Sequence, residues 1–125
     1  MRIVRQTTPR AASFAGHSSL AELPALYSHA ALMVTNDSGP AHFSSAVGLP
    51  TIVLFGPETP KLYQPLGNSR AIYAGLACSP CVSAHNHRKT ACTDNVCMQA
   101  ITVDEVFAAV ADVLSPHTNN DTSPR

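Results

Sequence analysis

Val34-Thr35-Asn36-Asp37-Ser38-Gly39-Pro40-Ala41-His42 reads as the end of a strand, a turn and the start of a helix. Apolar residues give way to polar ones, and a glycine lets the backbone bend. Pro40 suits a first helical turn, where its missing N–H loses no partner and its φ is already helical. Asp37 or Ser38 can cap that helix end. The free amides of a helix start, with the positive end of its dipole, receive an anion such as a phosphate. His42 falls in the first turn, on the rim of such a site. In parallel sheets, ligands bind at these carboxyl ends of strands. The same residues also describe an ordinary capped turn that binds nothing.

Working outward, Ser18 or Ser19 starts a helix with Glu22 placed to reach back as in a capping box. Leu20, Leu23, Leu26 and Tyr27 share one face of it, and Pro24 lies early enough to be tolerated. Ala31 to Thr35 is a short apolar run, as in a strand buried on both faces. Ala41 to Val47 predicts a short helix rich in small residues, closed near Gly48. Thr51-Ile-Val-Leu-Phe is the next strand, ended by Gly56-Pro57, with a helical turn over 60–66 and a third strand over Arg70 to Tyr73. A cysteine-bearing loop covers 78–100. Val103, Val106, Phe107, Val110, Val113 and Leu114 predict a last amphipathic helix, capped by Thr102 with Glu105 three residues on.

This alternation is an α/β pattern with parallel strands. Three short strands are few for a doubly wound sheet, so the pattern predicts a partial Rossmann-like domain belonging to a larger fold. Residues 1–15 read as a poorly ordered lead-in, 16–114 as the domain, and 115–125 as a disordered polar tail.

Composition excludes several classes. Eight Lys and Arg balance eight Asp and Glu, and charged residues are 13% of the chain, so there is no basic stripe of the kind nucleic acid requires. No run of about 18 apolar residues encodes a membrane span. The basic N-terminus lacks the apolar segment of a secretory signal. These features predict a cytoplasmic protein, with peripheral attachment at the inner membrane compatible with them.

Leu20-Ala-Glu-Leu-Pro-Ala-Leu-Tyr-Ser-His-Ala, then Leu32 to His42, then Gly48-Leu-Pro-Thr-Ile-Val-Leu-Phe-Gly-Pro-Glu-Thr-Pro resemble, in order, the motifs of glycosyltransferase family 9, the heptosyltransferases. The resemblance continues through Pro65-Leu-Gly, Cys78-Ser-Pro-Cys81 and Cys97 to Val106. It implies the C-terminal, donor-binding half of a two-domain GT-B glycosyltransferase that takes a nucleotide-sugar, commonly ADP-heptose, for the lipopolysaccharide core. It carries Asp37, Ser38, Gly39 and His42 over as donor-binding residues. Phe55-Gly56-Pro57-Glu58-Thr59, which ends the next strand, should stand beside them at the sheet's carboxyl edge as a wall of the same pocket, with Gly56, Pro57 and Thr59 its candidate residues. It also implies that no cofactor is required. The catalytic carboxylate and the acceptor site are expected in an N-terminal domain that this match does not include, so no catalytic residue is expected in this chain, which by itself should transfer no sugar.

Cys78, Cys81, Cys92 and Cys97 leave three readings open. Paired and later cysteines, with His85 and His87 nearby, can supply a structural zinc site, although the second spacing is looser than in common zinc ribbons. Disulfides fit poorly with a cytosolic chain. Four unlinked thiols are the third reading. Besides a transferase fragment, a nucleotide- or sugar-phosphate-binding module without turnover and a cysteine-stapled structural domain fit the same residues.

Overall fold

Thr51–Phe55 (β2) is buried along nearly its whole length and forms the middle of a three-stranded parallel sheet, order β1-β2-β3. A computed structural model describes residues 10–115 of the chain. Most of the expected lead-in, and the tail beyond Ser115, lie outside the described residues. Strand β1 is Met33–Asn36, paired from Met33 with Thr51 to Asn36 with Leu54. Strand β3 is Ser69–Tyr73, paired from Thr51 with Ser69 to Phe55 with Tyr73. The first strand begins and ends later than its apolar run suggested, because Asn36 still occupies a rung opposite Leu54.

Alternation along β2 divides the core into two layers. Val53 and Phe55 face one way, packing with Ala41, Tyr63, Ala71 and Tyr73. Ile52 and Leu54 face the other, packing with Ile72 and with Ala109, Val106, Val110 and Val113 of the last helix. Burial on both faces is why the strand reads as an unbroken apolar run.

The helices follow from local chemistry. A single 3₁₀ turn, Leu20–Glu22, leads into α1 (Leu23–Ser28), where one continuous helix was expected. Leu20 is 67% exposed, because the tighter turn rotates it off the stripe that Leu23 and Leu26 share. The Ser19 amide and hydroxyl donate to Glu22 Oε2 at 2.8 and 2.7 Å, holding that carboxyl below its ordinary range.

Helix α2 is Gly39–Ala46, and it buries Ala41 and Ser44. Thr51 Oγ1 donates to Ser44 Oγ at 2.7 Å, and Ser44 donates to the Ala41 carbonyl at 2.6 Å. That buried relay fastens α2 to the start of β2. Helix α3 is the single turn Pro60–Tyr63, shorter than the 60–66 expected.

The cysteine-bearing segment, expected as loop throughout, contains a 3₁₀ turn (Ala84–Asn86) and a short helix, α4 (Val96–Gln99). Helix α5, Val103–Leu114, starts on Thr102, whose hydroxyl accepts from the Glu105 amide at 3.2 Å. An exposed ion pair, Arg70 to Asp112 at 2.8 Å, ties α5 to β3. Val103 and Phe107, expected on the packing face, are 82% and 71% exposed. They border an apolar groove of about 390 Å³ that also involves Leu54, Met98 and Val106. The described sheet ends at β1 and offers them no further strand to cover. No helix among the described residues is long and apolar enough to cross a membrane.

Candidate functional site

Because β1 and β2 are parallel, they deliver their carboxyl ends to the same edge of the sheet. The Asp37 amide still donates to the Leu54 carbonyl at 3.1 Å, and beyond it the two chains part. One turns into α2; the other runs on through Gly56-Pro57-Glu58. Between them opens a cleft of about 350 Å³, with Asn36 and Asp37 on one wall and Gly56, Pro57 and Glu58 on the other. Asn95 and Met98, from the start and middle of the α4 region, complete it above Leu54.

The segment that carries Asn95 and Met98 is stitched to the second wall. Cys81 and Val82 donate their amides to the Pro57 carbonyl at 2.9 and 3.1 Å. The Ser79 hydroxyl donates to the Gly56 carbonyl at 2.7 Å. A side chain at position 56 would stand 2.6 Å from Met98 Sδ and 2.8 Å from its Cγ, so glycine is what lets the two segments meet.

Charge gathers at this edge. Glu58 is 7% exposed, and neither carboxylate oxygen has a hydrogen-bond partner. Its nearest cation is Arg88, 3.7 Å from Nη1 to Oε1, beyond hydrogen-bond length. The Arg88 guanidinium lies 5.2 Å from the centroid of the Tyr63 ring. Left-handed backbone at His87 and Arg88 (φ 54° and 57°) turns this segment, and the Arg88 amide donates to Ser83 at 2.9 Å. Burial raises the Asp37 carboxyl above its ordinary range, with His42 and Arg88 pulling it partly back.

Of the residues expected at a donor site, Asp37, Gly56 and Pro57 line the cleft together. Ser38, Gly39 and His42 are exposed beside it at the start of α2. The capping expectation is corrected: Ser38 holds the N-cap position in extended backbone, but its hydroxyl turns back to the Asn36 carbonyl at 3.3 Å. No side chain therefore caps the first amides of α2. Thr59 does not line the cleft, and its Oγ1 instead accepts from the Lys61 amide at 3.3 Å.

Glu58 lies within the Phe55–Thr59 strand end expected as the pocket wall, and it lines the cleft. Arg88, Asn95 and Met98 carry no such expectation: they come from a segment whose return to the sheet edge no local pattern announces.

All four cysteines are free: Cys78 and Cys92 exposed, Cys81 half-buried, Cys97 buried. No group of three or more His, Cys, Asp or Glu side chains able to hold a metal forms among the described residues. The cysteines that could have supplied a zinc site, with His85 and His87, are thus not brought together. Amide hydrogen bonds, first that of Asn95 at 3.4 Å, hold the exposed Cys92 thiol below its ordinary range.

A parallel sheet with a cleft at its carboxyl edge, beside a helix start without a side-chain cap, is an α/β arrangement whose candidate ligand site lies at the strand ends. Residues 1–91 match the model of glycosyltransferase family 9 (heptosyltransferase), and the chain belongs to that family. It is 30% identical over 90 residues to lipooligosaccharide heptosyltransferase 2 of Campylobacter jejuni, an alignment covering 68% of this chain and 26% of that one. It is 40% identical over 62 residues to lipopolysaccharide heptosyltransferase 3 of Escherichia coli, covering 50% of this chain and 18% of the relative. The fold matches a family 9 glycosyltransferase structure from Veillonella parvula with a TM-score of 0.69 at 24% identity, over 90% of this chain and 31% of that one. The chain thus spans between about a fifth and a quarter of the length of the curated relatives it matches.

Proposed function

We propose that this chain is the donor-binding part of a heptosyltransferase-like glycosyltransferase, one that holds a nucleoside-diphosphate sugar of the ADP-heptose type for lipopolysaccharide core assembly. The observation that carries the reading is the cleft between Asn36-Asp37 and Gly56-Pro57-Glu58, beside the start of α2. The names of the relatives support the choice of sugar and acceptor.

The chemistry divides the ligand between two parts of the site. The diphosphate belongs at the start of α2, where the Gly39 backbone is open and the dipole is positive. Ser38 can donate a hydroxyl proton there, and His42 can donate to a phosphate oxygen. Both would stabilise the charge that grows on the leaving diphosphate. Asp37 repels a phosphate, so its place is with sugar hydroxyls. In the whole enzyme an acceptor hydroxyl attacks the anomeric carbon, the new C–O bond forms, and the diphosphate leaves with the bonding electron pair. The base that takes the acceptor proton and the acceptor site belong, on this reading, to the rest of a longer enzyme. The same reading places the protein in the cytoplasm, working at the inner face of the inner membrane.

The direct test is thermal unfolding of the chain with ADP and with an ADP-sugar. A ligand at ten times its Kd adds about 1.4 kcal/mol. That raises the melting temperature by about 6–11 °C for a domain of this size. An unchanged melting temperature at millimolar ligand removes the reading.

A further inference from the structure

We propose that Glu58 reads the ligand in the cleft, its carboxylate accepting hydrogen bonds from a pair of vicinal hydroxyls on the bound nucleotide sugar. This deepens the donor-site reading and rests on it.

A buried carboxylate is costly unless it is paired and its oxygens are hydrogen-bonded. The side chain of Glu58 is only 9% exposed, and both oxygens are buried without a donor. Arg88 offsets part of the charge from 3.7 Å but does not fill the lone pairs, and it remains 62% exposed over Tyr63. Buried polar groups in folded proteins have partners, and one left without them calls for a reason. Here the reason is open to a ligand, because Glu58 lines the cleft opposite Asp37.

The donors that fit are restricted. A phosphate is repelled by the carboxylate, whereas two hydroxyls on adjacent carbons offer two protons to two oxygens. A nucleoside-diphosphate sugar carries such pairs on either side of its diphosphate, one on the ribose and others on the sugar. With the diphosphate at the start of α2, either end is a candidate source.

Calorimetric titration of the full chain and of Glu58→Gln with ADP, 2′,3′-dideoxy-ADP and ADP-mannose separates the outcomes. Loss of a hydrogen bond to a charged acceptor corresponds to about 10- to 100-fold in affinity. If the ribose is read, ADP binding weakens by that factor in Glu58→Gln, and dideoxy-ADP binds equally weakly to both proteins. If the sugar is read, ADP binds both proteins alike, and only the extra affinity of ADP-mannose is lost in the variant.

Equal binding of ADP and of ADP-mannose by the two proteins overturns the assignment of Glu58 and leaves the donor reading standing. Failure of the unsubstituted chain to bind any of the three overturns the donor reading and this proposal with it. The melting temperature of Glu58→Gln should not fall, since the distant and exposed Arg88 offsets only part of the cost of burying that charge. A lower melting temperature with unchanged affinities would mark a structural ion pair instead. Should that variant not fold, Glu58→Asp keeps the charge, withdraws the oxygens by one methylene, and gives the same readout.

Discussion

Replacing Gly56 by alanine probes the contact that builds the second wall of the cleft. The added methyl would meet Met98 Sδ at 2.6 Å and Cγ at 2.8 Å, with Cys97 Sγ at 3.4 Å. The first two are closer than van der Waals contact permits, so the Met98 side chain must swing or the Cys81–Gln99 segment must lift. Overpacking of this kind costs about 1–3 kcal/mol. Alanine returns about 0.4–1 kcal/mol by restricting the unfolded chain. The net expectation is a loss of about 1–2 kcal/mol, or about 4–16 °C in melting temperature. Urea unfolding of the parent, Gly56→Ala, Met98→Ala and the double variant completes a cycle. Because truncating Met98 removes the obstructing atoms, the two changes should couple by about 1 kcal/mol, the double variant being more stable than additivity predicts. Additivity to within about 0.3 kcal/mol would refute the close seating of Met98 on Gly56.

Asp37→Ala should weaken ADP-sugar binding about tenfold by removing an acceptor of sugar hydroxyls, with the circular dichroism spectrum unchanged; equal affinity in a calorimetric titration would remove Asp37 from the site. The raised Asp37 carboxyl, due first to burial, also fixes a pH trend. Its charged form is disfavoured in the fold, so its contribution to stability falls as pH rises from the ordinary aspartate value of about 3.9 through the higher folded value. Asp37→Asn should therefore melt higher than the parent above that window and equally below it, by a small margin for a partly exposed group. A variant that melts lower at pH 7 would contradict the sign. Asp112→Ala, which breaks the exposed pair with Arg70, should cost less than about 1 kcal/mol in urea unfolding; a larger loss would mean the pair anchors α5.

The parallel sheet was legible because β2 is apolar from Ile52 to Phe55 and is bounded by Leu-Pro before it and Gly-Pro after it. The Thr102 cap of α5 and the reach of Glu22 to Ser19 were legible because both are local, three residues apart. Val103 and Phe107 were misplaced for the opposite reason. A helical stripe reports which residues favour burial, while the available cover is set by how far the sheet extends. The cleft was half legible: Asp37, Gly56 and Pro57 follow from strand ends. Glu58 follows from the same strand end, whereas Arg88, Asn95 and Met98 depend on a segment folding back across about forty residues, which periodicity does not encode.

The hydroxyl relay between Thr51 and Ser44 lies at the amino end of the sheet, away from the ligand edge. It nonetheless sets the aim of that edge. Ser44 is five residues from Gly39, about 7.5 Å along the helix axis, so a rocking of α2 by about 10° around Ser44 would displace its tip by about 1.3 Å. Shifts of that size are enough to spoil the orientation of a reacting group. A lesion as modest as one lost oxygen at the base of the molecule would then surface as a displaced helix start at its rim, with every residue there intact.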